Sequence, residues 1–171
     1  GFKISGFRAD SLASLQEFLD RSTPKHSGWP PFTVLHREDR APRPMGDFVE
    51  AWLGENDDGT HSDYWRVSKD GYGFLLRPMS EDRPGYGSNV TPGPPKPSMD
   101  WVLPIWRMTE VFQHIRSLAA EFADANASFE ITLTYENTKG RMLWYVSGRD
   151  WFDEAGPVEL DSLTNSIAGT I

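Results

Sequence analysis

The clearest hydrophobic period in the chain lies between residues 104 and 122. Ile105, Met108, Val111, Phe112, Ile115, Leu118, Ala119 and Phe122 recur at three- and four-residue steps, the spacing of one helical face. The opposite face carries Glu110, Gln113, Arg116, Ser117 and Glu121. Pro104 suits a first turn, where a missing N–H costs little. The spacing therefore predicts a helix over 104–122. A shorter one is predicted over 11–21, capped by Asp10 or Ser11 and apolar at Leu12, Leu15, Phe18 and Leu19.

Elsewhere the period drops to two. Alternation predicts strands at Phe2–Phe7, Phe32–His36, Phe48–Leu53, Asp63–Ser68, Gly73–Met79 and Ser128–Glu136. Lys69-Asp70-Gly71 is a turn inside what reads as an antiparallel meander. Asn137-Thr138-Lys139-Gly140 reads as a hairpin turn that returns the chain through Arg141–Ser147. Trp151 and Phe152 are expected to cover core, and a further element to start within Pro157–Leu163. Residues Ser80–Ser98 are crowded with proline and glycine and form a long loop, of the kind that is usually functional or mobile. The expected fold is α+β: an antiparallel sheet of about six or seven strands with two packed helices, 11–21 and 104–122.

Composition narrows what such a fold can do. The 171 residues suffice for one domain with a real core, and a single domain over 1–171 is expected. The start at Gly1 and the ending S-I-A-G-T-I suggest an excised piece of a longer polypeptide. The formal net charge of −8 argues against non-specific binding to a phosphate backbone, which needs a Lys/Arg surface. There are no cysteines, so disulfide scaffolds, thiolate metal sites and cysteine nucleophiles are excluded. No apolar run is long enough to span a membrane and no signal peptide is visible, so a cytoplasmic protein without a membrane partner is expected.

The common catalytic signatures are missing. The sequence contains no dinucleotide-binding glycine motif, no phosphate loop, no G-x-S-x-G elbow and no H-E-x-x-H. His26, His36, His61 and His114 stand singly, without metal-ligand spacing, and no cofactor or metal is expected. Thr60-His61-Ser62-Asp63 has the composition of a triad. Strand neighbours point to opposite faces, however, so only a His61/Asp63 base pair could form, at a loop mouth. Glu55-Asn56-Asp57-Asp58-Gly59 lacks the spacing and the distal glutamate of a calcium loop. What remains is a set of tryptophans and arginines: Trp29, Trp65, Arg66, Trp106 and Arg107, with Trp52 nearby. Arginine beside tryptophan can stack on a ring and offer a planar fork to a carboxylate or phosphate. These five are the expected ligand contacts; the competing reading has the tryptophans filling core and the arginines pairing with Glu50 and Glu110.

The stretches G-W-P-P-F (Gly28–Phe32), E-x-W-L-G (Glu50–Gly54), H-S-D-Y-W-R-V-S (His61–Ser68), F-L-L-R (Phe74–Arg77) and L-P-I-W-R (Leu103–Arg107) resemble the region that follows the AlbA_2 domain (Schlafen-type, divergent AAA-4) in bacterial proteins. The resemblance covers about Phe7–Trp144 and carries no catalytic motif. It implies an accessory or sensing module attached to a nucleic-acid-linked domain, in the setting of transcription control or phage defence. The expected function is accordingly non-catalytic: sensing or partner binding through an aromatic/arginine pocket, with a small-molecule or nucleotide ligand or a protein partner. The alternatives are a hydrolase using His61 and Asp63, and a structural oligomerisation domain.

Overall fold

The computed structural model describes residues 1–24, 26, 29–54, 62–82, 85, 97–144 and 157–171. Strand β1 (Phe2–Phe7) leads into helix α1 (Leu12–Ser22). Four strands follow: β2 (Arg43–Met45), β3 (Phe48–Trp52), β4 (Tyr64–Ser68) and β5 (Tyr72–Leu76). A single 3-10 turn at Ser80–Asp82 and the short strand β6 (Ser98–Asp100) precede helix α2 (Leu103–Phe122). Strand β7 (Ala123–Glu136), the short β8 (Met142–Trp144) and β9 (Ser162–Thr170) complete the chain. Seven strands form one antiparallel sheet in the order β2-β3-β4-β5-β1-β7-β9, while β6 and β8 pair in parallel as a separate ribbon. The fold is α+β, with two helices on one sheet face.

Period-two alternation decides which face is covered. Phe2, Ile4, Val49, Ala51, Trp65, Val67 and Ile131 point toward the helices and are buried. They meet Leu15, Phe18 and Leu19 of α1 and Ile115, Leu118 and Ala119 of α2. The opposite face has no helix among the described residues. It exposes Trp52, Tyr72, Phe74 and Leu76, with the Lys3 ammonium 5.2 Å from the Tyr72 ring centre. Gly73 is where the sheet needs no side chain. It sits opposite Phe2, and a Cβ there would lie 2.0 Å from the Phe2 ring.

Both helices start on side-chain caps. Ser11 Oγ accepts from the Ser14 N–H at 3.0 Å and Ser14 Oγ accepts from the Ser11 N–H at 3.3 Å, a reciprocal capping box. At α2 the cap comes from upstream: Asp100 Oδ1 accepts from the N–H groups of Val102 and Leu103, at 2.8 and 3.0 Å. Helix α2 ends at Phe122 and β7 begins at the next residue, so the strand runs five residues further back than the predicted start at Ser128. The predicted apolar stripe on α2 holds through its C-terminal half. At the other end Ile105 is 56% exposed. Glu110, predicted on the polar face, is buried and accepts from the His26 N–H at 2.8 Å.

Two predicted strands are otherwise. Residues 32–36 form no strand. Phe32 takes a left-handed φ of 55°, and the Phe32 and Thr33 carbonyls accept from the side chains of Thr23 and Trp65 instead of from a ladder. Of the predicted return strand Arg141–Ser147, the described residues 141–144 do not run along β7. The place beside β7 belongs to β9, paired from Ser128↔Thr170 to Glu136↔Ser162. Arg141 explains the diversion: its guanidinium donates to the carboxylate of Asp82 and to the carbonyls of Ser98 and Asn137, which draws the chain to β6. Residues 145–147, Trp151, Phe152 and most of the Ser80–Ser98 loop lie outside the described residues.

Two substitutions test this packing. Ile115→Asp buries an unpaired carboxylate in the core and should abolish cooperative unfolding in urea. Gly73→Ala should lower stability by about 1–3 kcal/mol through overpacking against Phe2, and Phe2→Leu in the same chain should recover part of that loss.

Candidate ligand cavity

The end of the sheet nearest the start of α2 is built around one buried ion pair. Asp63 immediately precedes β4 and Arg77 immediately follows β5, so the Tyr64↔Leu76 register brings them side by side. The side chains are 0% and 6% exposed. Arg77 Nε lies 3.0 Å from both carboxylate oxygens of Asp63, and Nη2 donates to Oδ2 as well. The rest of the guanidinium donates to the carbonyls of Trp29 (3.0 Å) and Pro30 (2.8 Å). Trp29 Nε1 closes the set by donating to Asp63 Oδ2 at 2.8 Å. Every strong donor and acceptor here is paired, as a buried charge requires.

Against this cluster lies a cavity of about 560 Å³ between the first turns of α2, the ends of β4 and β5, and β7. Met79, Met99, Met108, Val111 and Leu133 give it soft apolar walls, and Trp52, Tyr64 and Leu76 reach it from the open sheet face. Its charged groups come in both signs. Arg77 is bound to Asp63, and Arg141 is held by Asp82 at 2.7 Å, which raises the guanidinium's proton affinity still further. Arg107 Nη2 donates to Ser80 Oγ at 2.6 Å, and its charge acts on Glu81. Burial pushes the Glu81 carboxyl up, opposed by the Asp100 N–H that its Oε1 accepts at 2.7 Å. Burial likewise pushes the Tyr135 phenol up, with Arg107 and Arg77 pulling the other way and Glu81 adding to the rise.

The five residues expected to contact ligand do not converge. Arg107 lines the cavity. Trp29 is half-buried and serves Asp63 from behind it. Trp65 is 0% exposed, packs edge-on to Phe32 with ring centres 6.1 Å apart, and donates from Nε1 to the Thr33 carbonyl at 2.9 Å. It is core. Arg66, its neighbour, points to the open sheet face, where its guanidinium lies 4.6 Å from the Phe48 ring centre. Trp106 is 53% exposed on α2. Of the five, only Arg107 is among the residues that line the cavity. Of the anticipated pairings, Glu50 takes the Tyr64 hydroxyl (2.9 Å) and Arg43 (3.5 Å), and Glu110 takes the His26 N–H. Asp63 has both oxygens engaged by Arg77 and Trp29, which removes it as a general base; His61 lies outside the described residues. Sequence reasoning missed Arg77, Glu81, Tyr135 and Arg141. The signal for Arg77 was an arginine closing an apolar strand, F-L-L-R-P, immediately across a meander from an aspartate.

His114 lies on α2 and is fully buried. Its ring stacks on Phe32 at 4.7 Å and 12°, and neither ring nitrogen has a partner among the described residues. Burial lowers its pKa to about 3. Comparisons of the chain with protein-family models, with curated proteins and with solved structures found no match.

Two measurements probe this region. Arg77→Met strands the Asp63 carboxylate and should cost about 3–5 kcal/mol in urea unfolding, part of which Asp63→Leu in the same chain should restore. Native His114 stays neutral where the unfolded chain takes up a proton. Stability should therefore fall as the pH drops from about 6.5 toward 3, with this residue contributing a slope of up to about 1.4 kcal/mol per pH unit. His114→Leu should flatten that slope and leave the neutral-pH fold intact.

Proposed function

We propose that the chain is a non-catalytic sensing module whose cavity takes a small, mainly apolar molecule with one polar end. The observation that carries this reading is the cavity itself. It is of ligand size, walled by three methionines and by aromatic rings, and its arginines have carboxylates beside them. A wall with balanced charge favours neutral or singly charged guests over polyanions such as nucleoside triphosphates. The polar end of the guest would meet Arg107, Glu81 and Tyr135. Pro104, Arg107, Met108 and Val111 of α2 line the cavity, so the start of this helix is the part that a guest would touch. The sequence resemblance supplies the setting: an accessory region of a bacterial regulatory or phage-defence protein.

The test is a thermal-shift screen with neutral heteroaromatics, nucleosides and short-chain monocarboxylates, with nucleoside triphosphates as the contrasting class. A guest at 100 times its Kd should add about 2.7 kcal/mol of stability. Met108→Trp, which fills the cavity, should abolish the shift while the circular dichroism stays native, and Arg107→Ala should weaken it. A folded protein that no neutral or singly charged compound stabilises would sink the reading, and so would a shift that survives Met108→Trp unchanged.

A further inference from the structure

The two ends of the seven-stranded sheet are built differently. One closes on β2, three residues long, where Arg43 and Pro44 stand on the edge. Short length, charge and proline are the usual means of keeping an edge from pairing. The other end is β9, nine residues long, with no proline and no charged side chain from Ser162 to Ile171. In a chain of net charge −8, that is a long neutral strip. Among the described residues nothing pairs with its outer side.

The ladder shows what the strip offers. The Ile171 N–H donates to the Ala127 carbonyl at 3.0 Å, and the register continues as Ser128↔Thr170. Backbone groups alternate between the two sides of a strand. The odd-numbered residues of β9 therefore bond to β7, and Ser162, Thr164, Ser166 and Ala168 aim their N–H and C=O groups outward. We propose that this edge pairs antiparallel with the same edge of a second copy of the chain, about a twofold axis at Asn165, joining the two sheets into one.

The sequence of β9 is self-complementary in that register. Leu163 meets Ile167 of the second copy on the helix-side face, twice across the axis. Ile167 is 42% exposed in the single chain and would be covered. Asn165 meets Asn165, an uncharged pair able to exchange amide hydrogen bonds. On the other face Thr164 meets Ser166. Within one chain Thr132 already bonds Ser166 (3.0 Å) and Thr134 bonds Thr164 (3.1 Å). The new pairs extend those hydroxyl rows across the axis. No like charges oppose one another anywhere along the contact, which is the condition that a second copy of an acidic protein must meet. A strip of this length gives an interface at the small end of the range, so the dimer should be dissociable.

Cysteine substitution provides the test, because the chain has none of its own. Asn165 would face its copy in a non-hydrogen-bonded pair, the closer of the two pair types, within disulfide reach. Asn165→Cys should therefore cross-link under mild oxidation to a species of twice 19.3 kDa. Ser162→Cys, whose copy would lie at the far end of the contact, should not. Ser166→Pro removes an N–H that faces away from β7; it should give a monomer in sedimentation equilibrium, with the dichroism spectrum and thermal midpoint of the dilute parent chain. Asn165→Asp should weaken association roughly tenfold or more, with partial recovery in high salt. A parent chain that stays monomeric at every concentration overturns the proposal, as does equal cross-linking at 162 and 165.

Discussion

The structure hangs on the contact between Asp63, Arg77 and the loop from Trp29 to Thr33. The loop has no strand partner, so its carbonyls must be satisfied another way. Arg77 takes those of Trp29 and Pro30, Trp65 takes that of Thr33, and Thr23 Oγ1 reaches that of Phe32 at 3.3 Å. Side chains thus do what a ladder would do elsewhere. The result fixes Phe32 in a left-handed conformation at the centre of the core, between Phe2, Trp65 and His114. A buried ion pair is a weak source of net stability. Its value here is geometric: it ties the mouth of a β4–β5 hairpin to a segment more than thirty residues upstream, and so sets the floor of the cavity.

How much of this was legible in the sequence follows from what each element depends on. The β3-β4-β5 meander and the C-terminal half of α2 are local: a period of two or of 3.6 is written in adjacent residues, and burial obeys it. The segment 32–36 has strand-like residues, yet two prolines before it and four side-chain donors around it outweigh propensity. The partner of β7 was misassigned for a similar reason. The Asn137–Gly140 turn does exist, with Asn137 at φ 57° and Gly140 at φ 79°, but Arg141 turns the chain aside just beyond it. The cavity was the least legible of all. Trp65, Arg66, Trp106 and Arg107 look alike as Trp-Arg pairs, and only the direction of each side chain separates core, open face, solvent and cavity.

Burial also separates three chemically similar groups. Asp63 is buried with its charge answered by Arg77. Glu81 is buried, and burial outweighs the Asp100 N–H and the nearby Arg107, so its carboxyl holds its proton more tightly. His114 is buried against Phe32, with no partner for either ring nitrogen among the described residues, and stays neutral. The first anchors a loop, the second tunes a wall of the cavity, and the third makes the core sensitive to acid.

Helix α2 passes into β7 without a single connecting residue, and the Arg8 N–H pins the junction by donating to the Phe122 carbonyl at 2.8 Å. A loop would let a helix shift while its strand stayed still. Here helix and strand are joined directly, like the two arms of a crank, with the Arg8 bond at the elbow. The cavity sits under one arm and β9 lies along the other. Any tilt of the helix would therefore have to be taken up as shear between β7 and the strands it pairs with, β1 on one side and β9 on the other.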